Sequence, residues 1–154
     1  MAQDIQKPKQ MRIYLDNCCF NRPFDDQSRL RIRLESEAKL AIQENIQLGI
    51  FSLVWSYVMD YENHKNPFPE RREQIGKWRT YAVEDIEEDD ALLVSARLIG
   101  QTGIKKIDSL HIACATKAHA DYFLTTDDWI LKRSGLITTI KITDPTGFIK
   151  EVSK

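Results

Sequence analysis

The stretch 104–128 constrains the fold more than any other part of the chain. Apolar residues recur at three- and four-residue spacings over residues 106–120 and predict a helix with one apolar face. An apolar and β-branched run at 122–126 follows, and it is typical of a strand buried on both faces. A helix that leads into such a strand predicts a parallel α/β sheet.

Two acids of this stretch have two interpretations each. Asp108 falls in the first turn of the predicted helix, where a carboxylate caps free amides or belongs to a site. Asp127 follows the strand directly, where ligands of parallel sheets gather, but it is also suited to be the N-cap of a helix at 129–133. The spacing leaves both alternatives open.

Three further segments are predicted strands, at 12–16, 50–55 and 137–142. The first ends in Asp16, which repeats the pattern of a strand followed by an acid. Helical patterns separate the strands, so the sequence predicts a parallel sheet covered on both faces. Three acids then stand where strands end or helices begin: Asp16, Asp108 and Asp127.

The remaining chain is predicted as helices joined by polar loops. Loops are expected at 17–27 and at the acidic run 84–90, and helices are expected at 57–63, 70–83, 91–99 and after Asp144-Pro145. A long helix, capped by Ser28 and ending near Gly49, has an apolar stripe at four-residue spacing: Leu30, Leu34, Ala38, Ala41 or Ile42, and Ile46.

Length and composition predict a single domain at 11–154 behind a flexible polar leader at 1–10. No apolar run approaches the ~20 residues that span a bilayer, and no signal peptide is evident, so we expect a cytoplasmic protein without a membrane partner. The three cysteines lack metal or redox spacing and are expected to be reduced.

The net charge of −1 excludes a generally basic nucleic-acid coat but allows a local basic rim. Two groups are candidates for contacts with phosphate, although a solvated face with paired charges is the ordinary alternative. They are Arg29, Arg31 and Arg33, and Lys65, Arg71 and Arg72.

Clustered carboxylates repel one another, and burying them is costly unless cations neutralise the charge. Ligation by oxygen alone suits Mg²⁺ or Mn²⁺, which activate water for phosphodiester hydrolysis. The chain lacks a Gly-x-Ser-x-Gly elbow and a glycine-rich phosphate loop. These absences argue against a serine-hydrolase site and against a nucleotide-phosphate site.

Four segments carry a resemblance to a known family, and the last two are the most specific. They are Tyr14-Leu15-Asp16-Asn17, Ser56 with Glu62 six positions later, Asp108-Ser109-Leu110-His111-Ile112-Ala113, and Tyr122-Phe123-Leu124-Thr125-Thr126-Asp127. With these segments the chain resembles PIN-domain ribonucleases and is similar to the ribonuclease toxins of bacterial toxin–antitoxin pairs.

The resemblance implies a three-layer α/β/α sandwich with a central, mostly parallel sheet. It implies a catalytic metal site of Asp16, Glu62, Asp108 and Asp127 that binds Mg²⁺ or Mn²⁺ and cleaves RNA. It also implies a small antitoxin protein as a possible partner, and a possible homodimer.

Other interpretations of the acids remain to be weighed. A phosphatase of the haloacid-dehalogenase type normally needs a second Asp where this chain has Cys18, and a receiver domain matches poorly. A PIN-like module that binds RNA or protein without cleaving stays open. His111 is interpreted as a hydrogen-bonded core residue, and the three tryptophans are expected to pack in the core.

The second acid of the predicted site is expected to be Glu62 and not Asp60. On a helix that begins after Ser56, Glu62 shares a face with Val58, whereas Asp60 lies on a different face. The sequence therefore predicts that one of these two acids faces the cluster. Whether Asp128 contributes is left open.

Overall fold

The computed structural model describes residues 10–153, and its centre is a sheet of five strands. The strands are β1 (Met11–Leu15), β2 (Phe51–Ser56), β3 (Ala82–Ile86), β4 (Tyr122–Leu124) and β5 (Lys141–Thr143). Their order is β3-β2-β1-β4-β5, and every neighbouring pair is parallel. The predicted α/β/α sandwich around a mostly parallel sheet is confirmed.

Eight α-helices connect and cover these strands within residues 10–153. They are α1 (Asn17–Asn21), α2 (Leu30–Gln47), α3 (Tyr57–His64), α4 (Pro69–Gly76), α5 (Asp90–Gly100), α6 (Lys106–Lys117), α7 (Asp128–Lys132) and α8 (Pro145–Val152). Helices α2 and α8 contact each other, and so do α5 and α6. Because parallel crossovers are right-handed, the connections that run outward and those that return cover opposite faces of the sheet.

The strand order places a topological switch point between β1 and β4. The chain moves outward from β1 through β2 to β3 and then returns to β4 on the other side of β1. At such a point the connections leave the two strands in opposite directions and open a crevice at their carboxyl ends. Asp16 follows β1, and Asp127 lies three residues after the end of β4.

The predicted apolar stripe of α2 is wrong in its first half. Ala38, Ile42 and Ile46 are buried, but Leu30 and Leu34 are exposed. A helix turns by about 100° per residue, so a series with strict four-residue spacing drifts by about 160° over sixteen residues. Leu30 therefore cannot lie on the same face as Ile46.

Polar residues occupy the buried face of α2 in place of the predicted leucines. The Nε atom of Arg31 donates to Glu35 at 2.9 Å, and this pairing compensates a carboxylate whose side chain is 2% exposed. Lys39 is also buried, and its Nζ lies 5.4 Å from the centroid of the Phe20 ring. Burial lowers the pKa of Lys39 from 10.5 to about 8.

Two local predictions near the start of the chain are wrong. The predicted loop 17–27 contains α1 and a 3-10 helix at Arg22–Phe24, because the Asp16 carboxylate accepts from the amide of Asn17 and starts a helix there. Ser28 does not cap α2. The N-cap is Arg29, without a side-chain hydrogen bond, while the Ser28 amide donates to Asp26.

The predicted helix at 70–83 is also wrong in its second half. Helix α4 ends at Gly76, a 3-10 helix covers Lys77–Tyr81, and Val83 lies in β3. The acidic run expected as a loop supplies the rest of β3, because an edge strand pairs on one side and tolerates exposed charges. The last predicted strand, 137–142, is wrong over 137–140, because β5 (Lys141–Thr143) pairs only with the three residues of β4.

Several predicted helix boundaries are confirmed by their caps. Ser56 caps α3 by accepting from Met59, Asp144 caps α8 by accepting from Gly147, and Asp127 caps α7. Helix α2 ends just before Gly49, which has a φ of 75°. Local side-chain chemistry was therefore sufficient to locate these ends.

The predicted leader, 1–10, lies outside the described residues except for Gln10. Its side-chain amide donates to the Gly49 carbonyl and accepts from the Ser52 hydroxyl at 2.7 Å, so Gln10 is attached to the start of β2. Within residues 10–153, no helix has the length and apolar character needed to cross a membrane.

We predict that Lys39→Met stabilises the protein at about pH 7 by an amount on the order of 2–3 kcal/mol. The pKa of Lys39 is lower in the folded chain, so the unfolded chain binds this proton more tightly and wild-type stability rises with pH between about 8 and 10.5. The advantage of the variant should disappear above about pH 10. Urea unfolding at about pH 7 and above about pH 10 measures the free energy of unfolding, and the exposed Lys150→Met is the control. The same difference in this free energy between Lys39→Met and wild type at both pH values would contradict the prediction.

Candidate functional site

Asp16 lies at the switch point and is held on several sides. Its amide donates to the Leu124 carbonyl at 2.9 Å, which extends the pairing of β1 with β4 by one residue. Its Oδ2 accepts from the Thr125 hydroxyl at 2.8 Å, and Oδ1 accepts from the Asn17 amide at 2.8 Å. Burial raises the pKa of Asp16, against the lowering effects of the nearby His111 and of the Thr125 hydrogen bond.

Glu62 reaches the same place from α3, where it contacts His111 of α6. The His111 Nε2 atom makes a short hydrogen bond to Glu62 Oε1 and lies 3.8 Å from Asp16 Oδ1. On the other side of the ring, Nδ1 lies 2.5 Å from the Tyr14 hydroxyl, which is also 2.6 Å from the Ser56 hydroxyl. A buried polar chain therefore connects β1, the cap of α3 and the acidic site.

The partners of His111 determine where its proton resides. An ionised carboxylate only accepts hydrogen bonds. With Glu62 as such an acceptor, the Nε2–H group of His111 is the hydrogen-bond donor. Burial opposes the charged imidazolium, but the Glu62 hydrogen bond and the charge of Asp16 outweigh it and raise the pKa of His111. While this contact holds, Nε2 has no lone pair for a metal ion. His111 then orients Glu62 and does not act as a ligand.

Asp108 lies in the first turn of α6, as predicted, and is half-buried. The N-cap of α6 is Lys105, and the helix start has no side-chain cap hydrogen bond, so the capping interpretation is not supported. Burial and the charges of Asp16 and Asp127 raise the pKa of Asp108 to about 7. Asp108 is therefore close enough to the other acids to be repelled by them.

Asp127 combines the two roles that its sequence position allowed. Its Oδ1 caps α7 by accepting from the amides of Trp129 at 2.8 Å and Ile130 at 3.4 Å. Its charge nevertheless contributes to the raised pKa of Asp108. Because capping uses Oδ1, the second carboxylate oxygen remains able to bind a cation.

The two acids left uncertain by the sequence have other partners. Asp60 accepts from the indole nitrogen of Trp55 at 2.9 Å and lies 3.8 Å from a guanidinium nitrogen of Arg79. Asp128 forms a two-pronged ion pair with Arg31, at 3.0 and 2.8 Å. The predicted orientation of α3, with Glu62 and not Asp60 toward the cluster, is confirmed.

The donor set fits a hard divalent cation. Carboxylate oxygens of Asp16 and Glu62 lie within 4.8 Å of each other, and both are oxygen ligands of the kind that such a cation prefers. Next to Asp16, the amide oxygen of Asn17 is buried without a hydrogen-bond partner among residues 10–153, and a hydrated cation would provide a donor there. A cation would also relieve the repulsion that raises the pKa of Asp108.

Two shallow cavities adjoin Glu62 and continue the site across the surface. One, of about 310 Å³, is lined in part by Lys65, Phe68 and Arg71. The other, of about 350 Å³, is lined in part by Lys65, Lys105 and Lys106. Cationic side chains therefore border the acids on both sides of Glu62.

The interpretation of His111 as a hydrogen-bonded core residue is confirmed, but its partners Glu62 and Tyr14 were not predicted. His111 follows Asp108 by three residues on a helix, and Tyr14 precedes Asp16 by two in an extended chain; both spacings place side chains on one face. Those signals were available. Lys105 and Lys106 had no local pattern that linked them to the site. Trp129, expected in the core, is 46% exposed because its indole nitrogen donates to the Gly103 carbonyl at the surface.

Comparison of the chain with models of known protein families finds no match, and comparison with curated proteins finds none either. The function is therefore argued from the residues of the site and their surroundings.

We predict that Glu62→Gln weakens Mn²⁺ binding by about tenfold or more, whereas Asp60→Asn leaves it unchanged. Glu62 faces Asp16 and His111, and Asp60 faces Trp55 and Arg79. Each substitution removes one negative charge from α3, so the pair is matched. Isothermal titration with Mn²⁺ measures the difference. If only the Asp60 variant lost Mn²⁺ affinity, Asp60 and not Glu62 would be the ligand, and the prediction would be wrong.

Proposed function

We propose that this protein is an Mg²⁺- or Mn²⁺-dependent endoribonuclease and the toxin of a toxin–antitoxin pair. The observation that carries the proposal is the convergence of Asp16 and Glu62 near the carboxyl ends of β1 and β4. Asp108 lies near enough that burial and the charges of Asp16, Asp127 and Glu62 raise its pKa to about 7. Such a cluster is costly for a protein without a cation. The sequence resemblance to PIN-domain ribonucleases supplies the substrate and the biological role.

The residues that would hold the ion are Asp16, Glu62, Asp108 and Asp127. Their oxygen ligands suit Mg²⁺ or Mn²⁺ better than softer metals. When bound, the ion would activate a water and stabilise the charge that develops on the phosphodiester oxygens. The Thr125 hydroxyl donates to Asp16 and so serves to hold that carboxylate, and hydrolysis by water is the chemistry that a metal-binding acid cluster supports.

The protein's own contribution is to fix the carboxylates before substrate arrives. The Thr125 hydroxyl holds one oxygen of Asp16, and the His111 imidazole holds one oxygen of Glu62. The Tyr14 hydroxyl in turn contacts His111 at 2.5 Å. Side chains fixed in this way lose little further freedom when a cation and a phosphate bind.

One observation favours a second candidate, a PIN-like module that binds RNA or protein without cleaving. Glu62 already has a partner in His111, and Asp127 already caps α7. Two of the four acids therefore have structural roles that need no ion. A cleavage assay separates the candidates, because the second requires binding without turnover.

We predict that the purified protein cleaves single-stranded RNA with Mn²⁺ and not with EDTA. Asp16→Asn and Asp108→Asn should each lower the rate by about a hundredfold or more, since each removes a charge that would hold the ion. Circular dichroism should show that both variants fold, and Asp26→Asn, at an exposed loop position, serves as the charge control. Wild-type rates in both site variants would eliminate the proposed site.

The two shallow cavities beside Glu62 support a route for the RNA backbone. Lys65 lines both cavities, with its Nζ 4.2 Å from the centroid of the Tyr61 ring, and the Arg71 guanidinium lies 4.0 Å from that of Phe68. Exposed aromatic rings beside cations are suited to single-stranded nucleic acid. In the other predicted group, Arg31 is already paired with Asp128 and Glu35.

We predict that Lys65→Gln with Arg71→Gln weakens RNA binding and reduces the magnitude of its log–log salt slope by about 1.4, or about 0.7 for each lost phosphate contact. Fluorescence anisotropy in EDTA measures binding without cleavage. The double variant Arg29→Gln with Arg33→Gln is the matched control and should change the slope less. A larger change of the salt slope in the Arg29 and Arg33 variant would place the contacts with the RNA backbone at the start of α2 instead.

A further inference from the structure

A third cavity lies against α2, apart from the acidic site and from the two cavities beside Glu62. Its volume is about 190 Å³, and its apolar lining includes Phe20, Phe24, Ile75 and Trp78. None of the four predicted site acids lines it. The chemistry of this cavity is therefore separate from the proposed nuclease activity.

Two hydrogen-bond donors line this apolar cavity from one face of α2. Lys39 and Gln43 are four residues apart, one helical turn, and each is 5% exposed. Within residues 10–153, no carboxylate forms an ion pair with Lys39, and the Gln43 Nε2 atom is buried without a hydrogen-bond partner. A buried donor without a partner is destabilising, and a buried charge more so.

The two donors differ in charge, and this difference selects the ligand. Burial lowers the pKa of Lys39 to about 8, so its amine is still mostly protonated at neutral pH. Among residues 10–153, Gln43 Nε2 has no acceptor and Lys39 has no carboxylate partner, and apart from Gln74 the rest of the lining is aromatic or aliphatic. An anion with two acceptor oxygens would satisfy both donors, and an apolar body attached to it would contact the rings.

We propose that this cavity binds a small carboxylate whose body is a single ring or a short branched chain. Lys39 donates to one carboxylate oxygen and Gln43 Nε2 to the other, while Phe20 and Trp78 contact the apolar body. The volume of about 190 Å³ lies below the roughly 300–1,000 Å³ of sites for drug-sized ligands, so the ligand is limited to about one ring.

Benzoate is a suitable probe, and benzyl alcohol is the uncharged comparison. In an NMR titration of the full chain in EDTA, benzoate should shift the amide signals of α2 near Lys39 and of Ile75, and benzyl alcohol should bind at least about tenfold more weakly. Lys39→Met should weaken benzoate binding by about tenfold or more. Gln43→Met should weaken it several-fold, and Lys150→Met should leave it unchanged.

The design separates a bound carboxylate from other contents of the cavity. Absence of benzoate shifts at these positions, or equal benzoate affinity in wild type and Lys39→Met, would overturn the proposal and leave water as the occupant. Because Gln43→Met keeps the lysine, it tests the geometry of the pair independently of charge. The assay contains neither divalent metal nor RNA, so its result does not depend on the proposed ribonuclease activity.

Discussion

Parallel pairing of β1 with β4 is the interaction on which the candidate site depends. The Asp16 amide continues this pairing by donating to the Leu124 carbonyl at 2.9 Å, so the acid after β1 lies beside the end of β4. Both strands are buried, and Asp16 is 4% exposed, whereas Glu62, Asp108 and Asp127 are partly exposed. Partial burial and the charges of Asp16 and Asp127 together raise the pKa of Asp108.

Repulsion among carboxylates is partly offset by a network of hydrogen bonds that reaches far into the core. His111, which is fully buried, contacts Glu62 on one side and Tyr14 on the other, and Tyr14 contacts the cap of α3 at Ser56. A satisfied buried network of this kind makes a polar core specific in geometry. Helix α2 also buries charged side chains, but without such a network. Glu35 is paired with Arg31, whereas Lys39 lies beside an aromatic ring and a cavity.

Prediction of the fold from sequence succeeded where local chemistry was decisive, and the predicted acids do lie near one another, while their role as a catalytic site stays a prediction. Caps fixed the starts of α3, α7 and α8, and the buried runs fixed β1, β2 and β4. Prediction failed where the local sequence pattern indicated one structure but pairing with an adjacent strand determined another. The acidic β3 is a strand because β2 offers it an edge, and β5 is short because β4 is short. The exposure of Leu30 and Leu34 follows from the drift of a four-residue series around α2.

By itself the sequence determined the fold class and three of the positions where acids end strands or begin helices, because hydrophobic period and capping act within a few residues. Only the tertiary structure decided that Glu62 meets His111, that Asp60 and Asp128 are paired elsewhere, and that two buried donors on α2 face one cavity. These contacts join residues far apart in the chain. Their geometry follows from strand order and helix packing, which no local pattern encodes.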